Sequence, residues 1–303
     1  MDNSVRIVKK AFGNRCGTYL RKGELWLGTD VLKKAGLEDN LRGHVALVKR
    51  LKQDILSLPV SEGMSINKPN GYRYFSHQEL KEASGINDLF LVALINGPFQ
   101  RLVDKKGLMK ILSEWRRGRH GIAKEYEKER IAVEALLKRC LELPVDAIII
   151  ADDLAGARSP LIDPHDIQAL FSPFYIETVS EIHARHSYAF FHSCGNITRL
   201  IPQFISYKFD GLAAIENQAN DLRSVREKYG SSLTLMGGID ADILEVGQIP
   251  SSTLEEYERL LRYLSLGGGF ILCSSSGLYS GNFLERIQEL YQIADGFRDW
   301  RRP

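Results

Sequence analysis

Two residues of this 303-residue chain stand out for what they could hold between them, His192 and Cys194, which follow the apolar run Tyr188-Ala-Phe-Phe191 and precede Gly195. Side chains alternate faces along a strand, so residues two apart point the same way. An imidazole and a thiolate on one face form a metal-ligand pair, and nitrogen with sulfur suits zinc. Cys273, at the end of the run Phe270-Ile-Leu272, completes a three-ligand site if that run is the eighth strand of a barrel and Phe190 to Cys194 an earlier one. Three protein ligands with a fourth position open is the layout of a catalytic zinc. Glu216 is the alternative oxygen ligand, or a base beside the metal. Asp152 and Asp153 follow another apolar run and are candidate catalytic carboxylates, the plainer alternative being a helix entry or a shaped loop. Asn96, Asn217, Asp240 and Ser276 are candidate substrate contacts. The run Ser274-Ser-Ser276 makes a weak nucleophile, because no motif ties a His-Asp pair to it.

All of these residues fall at the ends of apolar runs. Residues 89–95 are continuously apolar and stop at Asn96-Gly-Pro98, as a strand buried on both faces does. Strands are then expected at 146–151, 188–192, 211–215, 233–236 and 270–273. Helical stretches separate them: 107–143, broken near Gly118 and Gly121, then 164–186, 196–208, a helix through Val225, 253–266 and finally 283–297. Strict alternation means parallel strands joined by right-handed crossovers. The class expected is α/β, a (β/α)8 TIM-type barrel with an N-terminal extension, whose chemistry sits at the carboxyl ends of the strands. No Gly-x-Gly-x-x-Gly opens a helix, which argues against a dinucleotide-binding sheet.

One barrel domain is expected over 1–303, with its core at 85–298. The first eighty residues are less legible. Residues 25–28 read as a short strand, 41–58 have a helical period, Cys16 falls in a loop, and Ser76-His-Gln-Glu79 has the form of a capping box.

Forty basic residues against thirty-eight acidic ones leave a net charge of +2, which points to neither nucleic acid nor an anionic membrane as partner. The basic group Arg116-Arg117-Gly-Arg119-His120 reads as a solvated face. No signal-peptide core and no run of about 20 apolar residues is present, so a soluble, cytoplasmic protein is expected. Cysteines at 16, 140, 194 and 273 make no disulfide framework, and Cys140, among leucines, reads as a small buried hydrophobe.

Ile150-Ala-Asp-Asp-Leu-Ala-Gly156, Phe191-His-Ser-Cys-Gly-Asn-Ile197, Met236-Gly-Gly-Ile-Asp240 and Gly269-Phe-Ile-Leu272 occur in that order, preceded by Ile95-Asn-Gly-Pro-Phe99. Together they resemble the uroporphyrinogen decarboxylase superfamily. The resemblance implies a TIM-type barrel and one of two activities. Decarboxylases of the superfamily use no cofactor, whereas methyltransferases of corrinoid-dependent systems carry a His-x-Cys…Cys zinc motif. His192 and Cys194 match the first half of that motif. The family's late cysteine sits directly before a glycine; here Ser276 holds that place and Cys273 lies three residues earlier, which keeps Glu216 or a water as alternatives. The decarboxylases' arginine-rich segment near the start and late Gly-His-Gly are not found, and Ser275-Ser-Gly277 stands where the latter belongs.

The resemblance therefore implies a zinc-assisted methyltransferase component. It would move a methyl group between a small methylated donor or acceptor and the cobalt of a separate corrinoid protein docked at the barrel mouth. The alternatives are a cofactor-free decarboxylase of a small acid, with Asp152 or Asp153 holding developing positive charge, and a barrel that binds a corrinoid or porphyrin-like ligand without turnover. Large barrels often pair, so a homodimer is possible.

Overall fold

A computed structural model describes residues 20–61, 71–266 and 269–296. Cys16 lies outside these residues. Eight strands form one sheet: β1 (Arg21–Lys22), β2 (Ile55–Pro59), β3 (Phe90–Asn96), β4 (Ala147–Ala151), β5 (Tyr188–His192), β6 (Gly211–Ile215), β7 (Thr234–Ile239) and β8 (Phe270–Ser274). Each pairs in parallel with its neighbour, in the order β1-β8-β7-β6-β5-β4-β3-β2. The two ends of that order meet. The Asp54 N–H donates to the Lys22 carbonyl at 2.8 Å, and the Lys22 N–H donates to Asp54 Oδ2 at 2.9 Å. Gly23 permits the approach, since a Cβ there would fall 2.6 Å from the Cβ of Ile55. The fold is the expected (β/α)8 barrel.

Strands buried on both faces are apolar throughout, and their alternation separates two cores. Leu25, Phe90, Val92, Ile149, Phe190, Met236 and Ile271 pack inside the barrel. Leu91, Ile148, Phe191, Leu212, Leu235 and Leu272 face the helices. Phe191, for example, stacks on Phe204 with ring centroids 4.1 Å apart.

Several expected elements stand nearly as read. Ser76 caps the helix His77–Ala83 in a complete capping box with Glu79. Gly118, at φ 151°, separates the helices Leu108–Arg117 and Arg119–Cys140. Cys140 is fully buried. Three readings need correction. The helical period over 41–58 covers two elements: a helix that ends at Arg50, followed by β2. Lys52 takes a left-handed turn (φ 52°) between them. Short apolar runs cannot be assigned by period alone, and Ile55, Leu56 and Leu58 are all buried because β2 is covered on both faces. The first strand is Arg21–Lys22; Leu27 and Gly28 make only isolated bridges, to Leu278 and Tyr72. The helix expected over 196–208 is confined to Ile201–Ser206. Among the described residues, no helix is long and apolar enough to cross a membrane.

Candidate metal centre and its cavity

Register places the ends of four neighbouring strands in one layer: Asn96 pairs with Ala151, Ala151 with His192, and His192 with Ala213. Paired residues of parallel strands face the same way, and above this layer a cavity of about 190 Å³ opens. Trp26, Asn96, Asp153, His192, Cys194 and Ser276 are among the residues that line it.

Alternation decides which carboxylate enters. Ala151 and Asp153 face the cavity, while Asp152 between them faces outward and is fully buried. Its carboxylate accepts from the Gln100 N–H at 2.7 Å, from the Phe99 N–H and from the Tyr175 hydroxyl at 2.8 Å. Those amides begin the helix Pro98–Lys106, so Asp152 caps a helix from a neighbouring strand. Gly97 makes room for it: a Cβ there would meet the carboxyl at 2.2 Å. Desolvation pushes the Asp152 pKa up to about 7 against the pull of these bonds, and the charge of Asp153 adds to the rise.

His192 and Cys194 share a face, as their spacing requires, with Cys194 Sγ 3.7 Å from His192 Nε2. Asp153 Oδ1 lies 3.8 Å from the same nitrogen. These three ligand atoms all fall within 4.8 Å of one another, and among the described residues no other such group of three is found. The imidazole is locked. Its Nδ1 lies 2.8 Å from the Ala213 carbonyl, which can only accept, so Nδ1 carries a proton and Nε2 is the ring nitrogen turned toward Cys194 and Asp153. That carbonyl is available because β6 slips register between Leu212 and Ile215, with Ala214 at φ 52°. The Trp26 ring stands edge-on to the imidazole, centroids 4.8 Å apart.

Two loops are stitched together around these side chains. Asp153 Oδ1 accepts from the Cys194 N–H at 2.9 Å, Ser193 Oγ accepts from the Leu154 N–H at 3.0 Å, and the Asn196 N–H donates to the Gly156 carbonyl at 2.8 Å. Gly195 (φ 78°) passes so close that a Cβ would fall 2.4 Å from that same oxygen.

Nitrogen, sulfur and oxygen donors of this kind fit zinc. In a tetrahedral site, Zn–N and Zn–S bonds of ordinary length set the two ligand atoms about 3.6 Å apart. The observed 3.7 Å between Nε2 and Sγ needs almost no adjustment, and the Nδ1 bond to Ala213 is the outer support such ligands usually have.

The other expected site residues are dispersed. Cys273 is fully buried inside the barrel among apolar side chains and does not join the three. Burial, and then the charge of Glu24, raise its thiol pKa well above the usual range, although the Ala214 N–H bond to the sulfur opposes them. Glu216 precedes the short helix Asn217–Asn220 as its cap residue and also stands apart from the three. Asn217 and Asp240 line a separate cavity of about 450 Å³, shared with the helix Ser251–Ser265. There Asp240 accepts from the Asn217 and Gln218 amides at 2.8 and 2.9 Å, and its pKa is raised by burial. Asn96 and Ser276 do line the first cavity.

Trp26, Tyr72 and Gln100 line it too, and sequence reasoning did not select them. Trp26 falls in the short strand expected over 25–28, which marks no side chain as functional, and Tyr72 in a stretch assigned to no element. Gln100 carried a weak signal, standing just after Asn96-Gly-Pro98 at a strand end and four residues before Asp104 on the next helix.

No curated protein matches the sequence. A methyltransferase from Methanosarcina mazei has a similar structure, with TM-score 0.76 and 16% identity over 96% of this chain and 98% of that one. A sugar phosphate isomerase/epimerase from Parabacteroides distasonis follows with TM-score 0.54 and 12% identity, covering 93% of this chain and 98% of its own. At such identities the likeness is one of fold. Residues 78–297 match the family model described as uroporphyrinogen decarboxylase (URO-D), and since this is well over half of the chain, the protein belongs to the uroporphyrinogen decarboxylase family.

Proposed function

We propose that this protein is the methyltransferase component of a corrinoid-dependent system, with a zinc ion held by Asp153, His192 and Cys194. The observation that carries this reading is the locked imidazole: its Nε2 is turned toward a thiol and a carboxylate at ligand spacing. When bound, zinc would supply a Lewis acid that holds a thiol as thiolate or draws charge from a methyl-bearing heteroatom. The chain's own residues do the rest. The Ala213 carbonyl keeps a His192 proton on Nδ1, Asp153 ties down the Cys194 backbone through its N–H, and the Trp26 ring packs against the imidazole. The cavity opens at the carboxyl ends of the strands, the face on which a corrinoid protein would dock.

A decarboxylase would need Asp152 or Asp153 against its substrate. Asp152 caps a helix on the far side of β4, which leaves that role to Asp153 alone, the carboxylate that also stands at ligand spacing from His192 and Cys194. The test is methyl exchange with methylcobalamin or cob(I)alamin, followed by the corrinoid absorbance, for wild type and His192→Ala with and without zinc. Zinc-dependent exchange lost in the variant supports the reading. Exchange at full rate by metal-free protein would overturn it, as would none with any thiol or methylated compound supplied.

A further inference from the structure

The seam between β1 and β8 is interrupted beside the cavity. Register pairs Arg21 with Ile271 and Lys22 with Leu272, and the Gly23 N–H donates to the Leu272 carbonyl at 3.1 Å. Pairing resumes at Leu27 with Leu278, where the Leu278 N–H donates to the Trp26 carbonyl at 3.0 Å and the Gly28 N–H to the Leu278 carbonyl at 2.7 Å. Leu27 follows Lys22 by five residues but Leu278 follows Leu272 by six, so the β8 side carries one residue more. Such an insertion is a β-bulge, which re-aims the side chains around it. Here two consecutive residues, Ser275 and Ser276, line the one cavity, where strict alternation would admit only one of them.

The backbone groups of the bulge find partners outside the ladder. A continuing parallel ladder would send the Ser274 N–H to the Gly23 carbonyl; instead the Glu24 carboxylate takes it, with both oxygens at 3.1 Å. The Ser275 N–H donates to the Ile239 carbonyl at 2.8 Å, and the Ser276 carbonyl accepts from the Tyr72 hydroxyl at 2.5 Å. Glu24 is held in turn. The Ser274 hydroxyl donates to it, as does the Tyr291 hydroxyl at 2.6 Å, from the helix Phe283–Asp295. Glu24 is 2% exposed and does not line the cavity, but Trp26, two residues on, lines it and meets the His192 ring.

From this we infer that Glu24 is a positioning residue for the cavity: its carboxylate stands in for a ladder carbonyl and fixes the bulge that brings Ser275 and Ser276 to the cavity with Trp26. It acts through Ser274, from the helix side of the barrel wall. That this placement governs turnover of a small substrate rests on the function proposed above; the placement of Trp26 does not.

The chain has three tryptophans, so Trp115→Phe with Trp300→Phe leaves Trp26 as the one emitter, and the experiment is acrylamide quenching of that full-length protein. Adding Glu24→Ala should raise the quenching constant at least about threefold, as a locally opened wall requires. Glu24→Gln, whose amide oxygen still accepts from the Ser274 N–H, should stay within about 1.5-fold of the parent. In a companion protein that keeps only Trp115, Glu24→Ala should change nothing, which separates a local shift from general loosening. If Glu24→Ala does not fold, Glu24→Asp, one methylene shorter, is expected to give the same rise. Unchanged quenching of Trp26, an equal rise at Trp115, or a Gln variant that behaves as Ala would overturn the inference. Where wild type exchanges methyl groups, Glu24→Ala should also raise KM for the small substrate about tenfold and leave kcat within about twofold. A loss confined to kcat would overturn the positioning role, whereas no exchange by wild type would remove the methyltransferase and leave Glu24 to be decided by the quenching alone.

Discussion

His192 donates from Nδ1 to the carbonyl of Ala213, its register partner on the next strand, at 2.8 Å. The bond needs the β6 bulge, so the backbone of one strand sets which ring nitrogen a side chain on another turns to the cavity. Everything proposed for the metal centre depends on it.

Metal content is the first consequence. Wild type supplied with zinc should hold about one ion per chain, and His192→Ala or Cys194→Ala should weaken binding at least about 100-fold. Asp153→Asn should weaken it less, since an amide oxygen still reaches the ion. Elemental analysis after dialysis against a weak chelator reads all three. Zinc kept in Cys194→Ala would remove the site.

Cys273 makes the contrasting case. If it is an interior side chain, Cys273→Ala keeps the full zinc content and costs about 1–2 kcal/mol of stability for the cavity left behind. Its raised thiol pKa also predicts that native protein is not labelled at this position by iodoacetamide near neutral pH, as peptide mapping would show. Loss of zinc in this variant would return Cys273 to the ligand set.

Much of this was legible because apolar strands end in polar residues, and the ends at Asn96, Asp153, His192 and Ser276 do surround one cavity. The period-two spacing of His192 and Cys194 needed nothing beyond strand geometry. The phase of alternation at the end of β4 was not legible: whether Asp152 or Asp153 faces inward depends on where the last ladder residue falls, and Ala151 fixes that only in the folded sheet. Cys273 misled for a related reason. Facing the barrel interior does not bring a side chain to the cavity, and depth along the axis has no signature in a strand's sequence. β1 has two residues and β2 follows a helix without a Gly or Pro between them, so neither left a pattern to read.

Gly97 and Gly195 test the stitching of the loops. Gly97→Ala drives a methyl into the Asp152 carboxyl, and Gly195→Ala adds left-handed strain to a clash with the Gly156 carbonyl. Each should cost about 3 kcal/mol or more in urea unfolding. Only Gly195→Ala should also weaken zinc, because it shifts Cys194 against Asp153. A Gly195→Ala protein with wild-type stability and metal content would mean that the two loops pack otherwise.

Glu24 predicts how stability responds to pH. It is fully buried, accepting from the Ser274 amide, the Ser274 hydroxyl and the Tyr291 hydroxyl, and desolvation outweighs these bonds to raise its pKa to about 7. An unfolded glutamate ionises near 4.5. Between these values the folded state keeps a proton that the unfolded state has lost, so the contribution is whole below about pH 4.5 and declines as pH rises through 7. A shift of this size corresponds to roughly 3 kcal/mol. Asp152, raised to about 7 in the same way, adds a slope of the same sign. Wild type should therefore unfold at lower urea near pH 8 than near pH 5, and Glu24→Gln, which keeps an acceptor for the Ser274 amide, should lose part of that difference. An unchanged pH difference in Glu24→Gln would mean that Glu24 is ionised within the fold, with a counter-charge drawn to it.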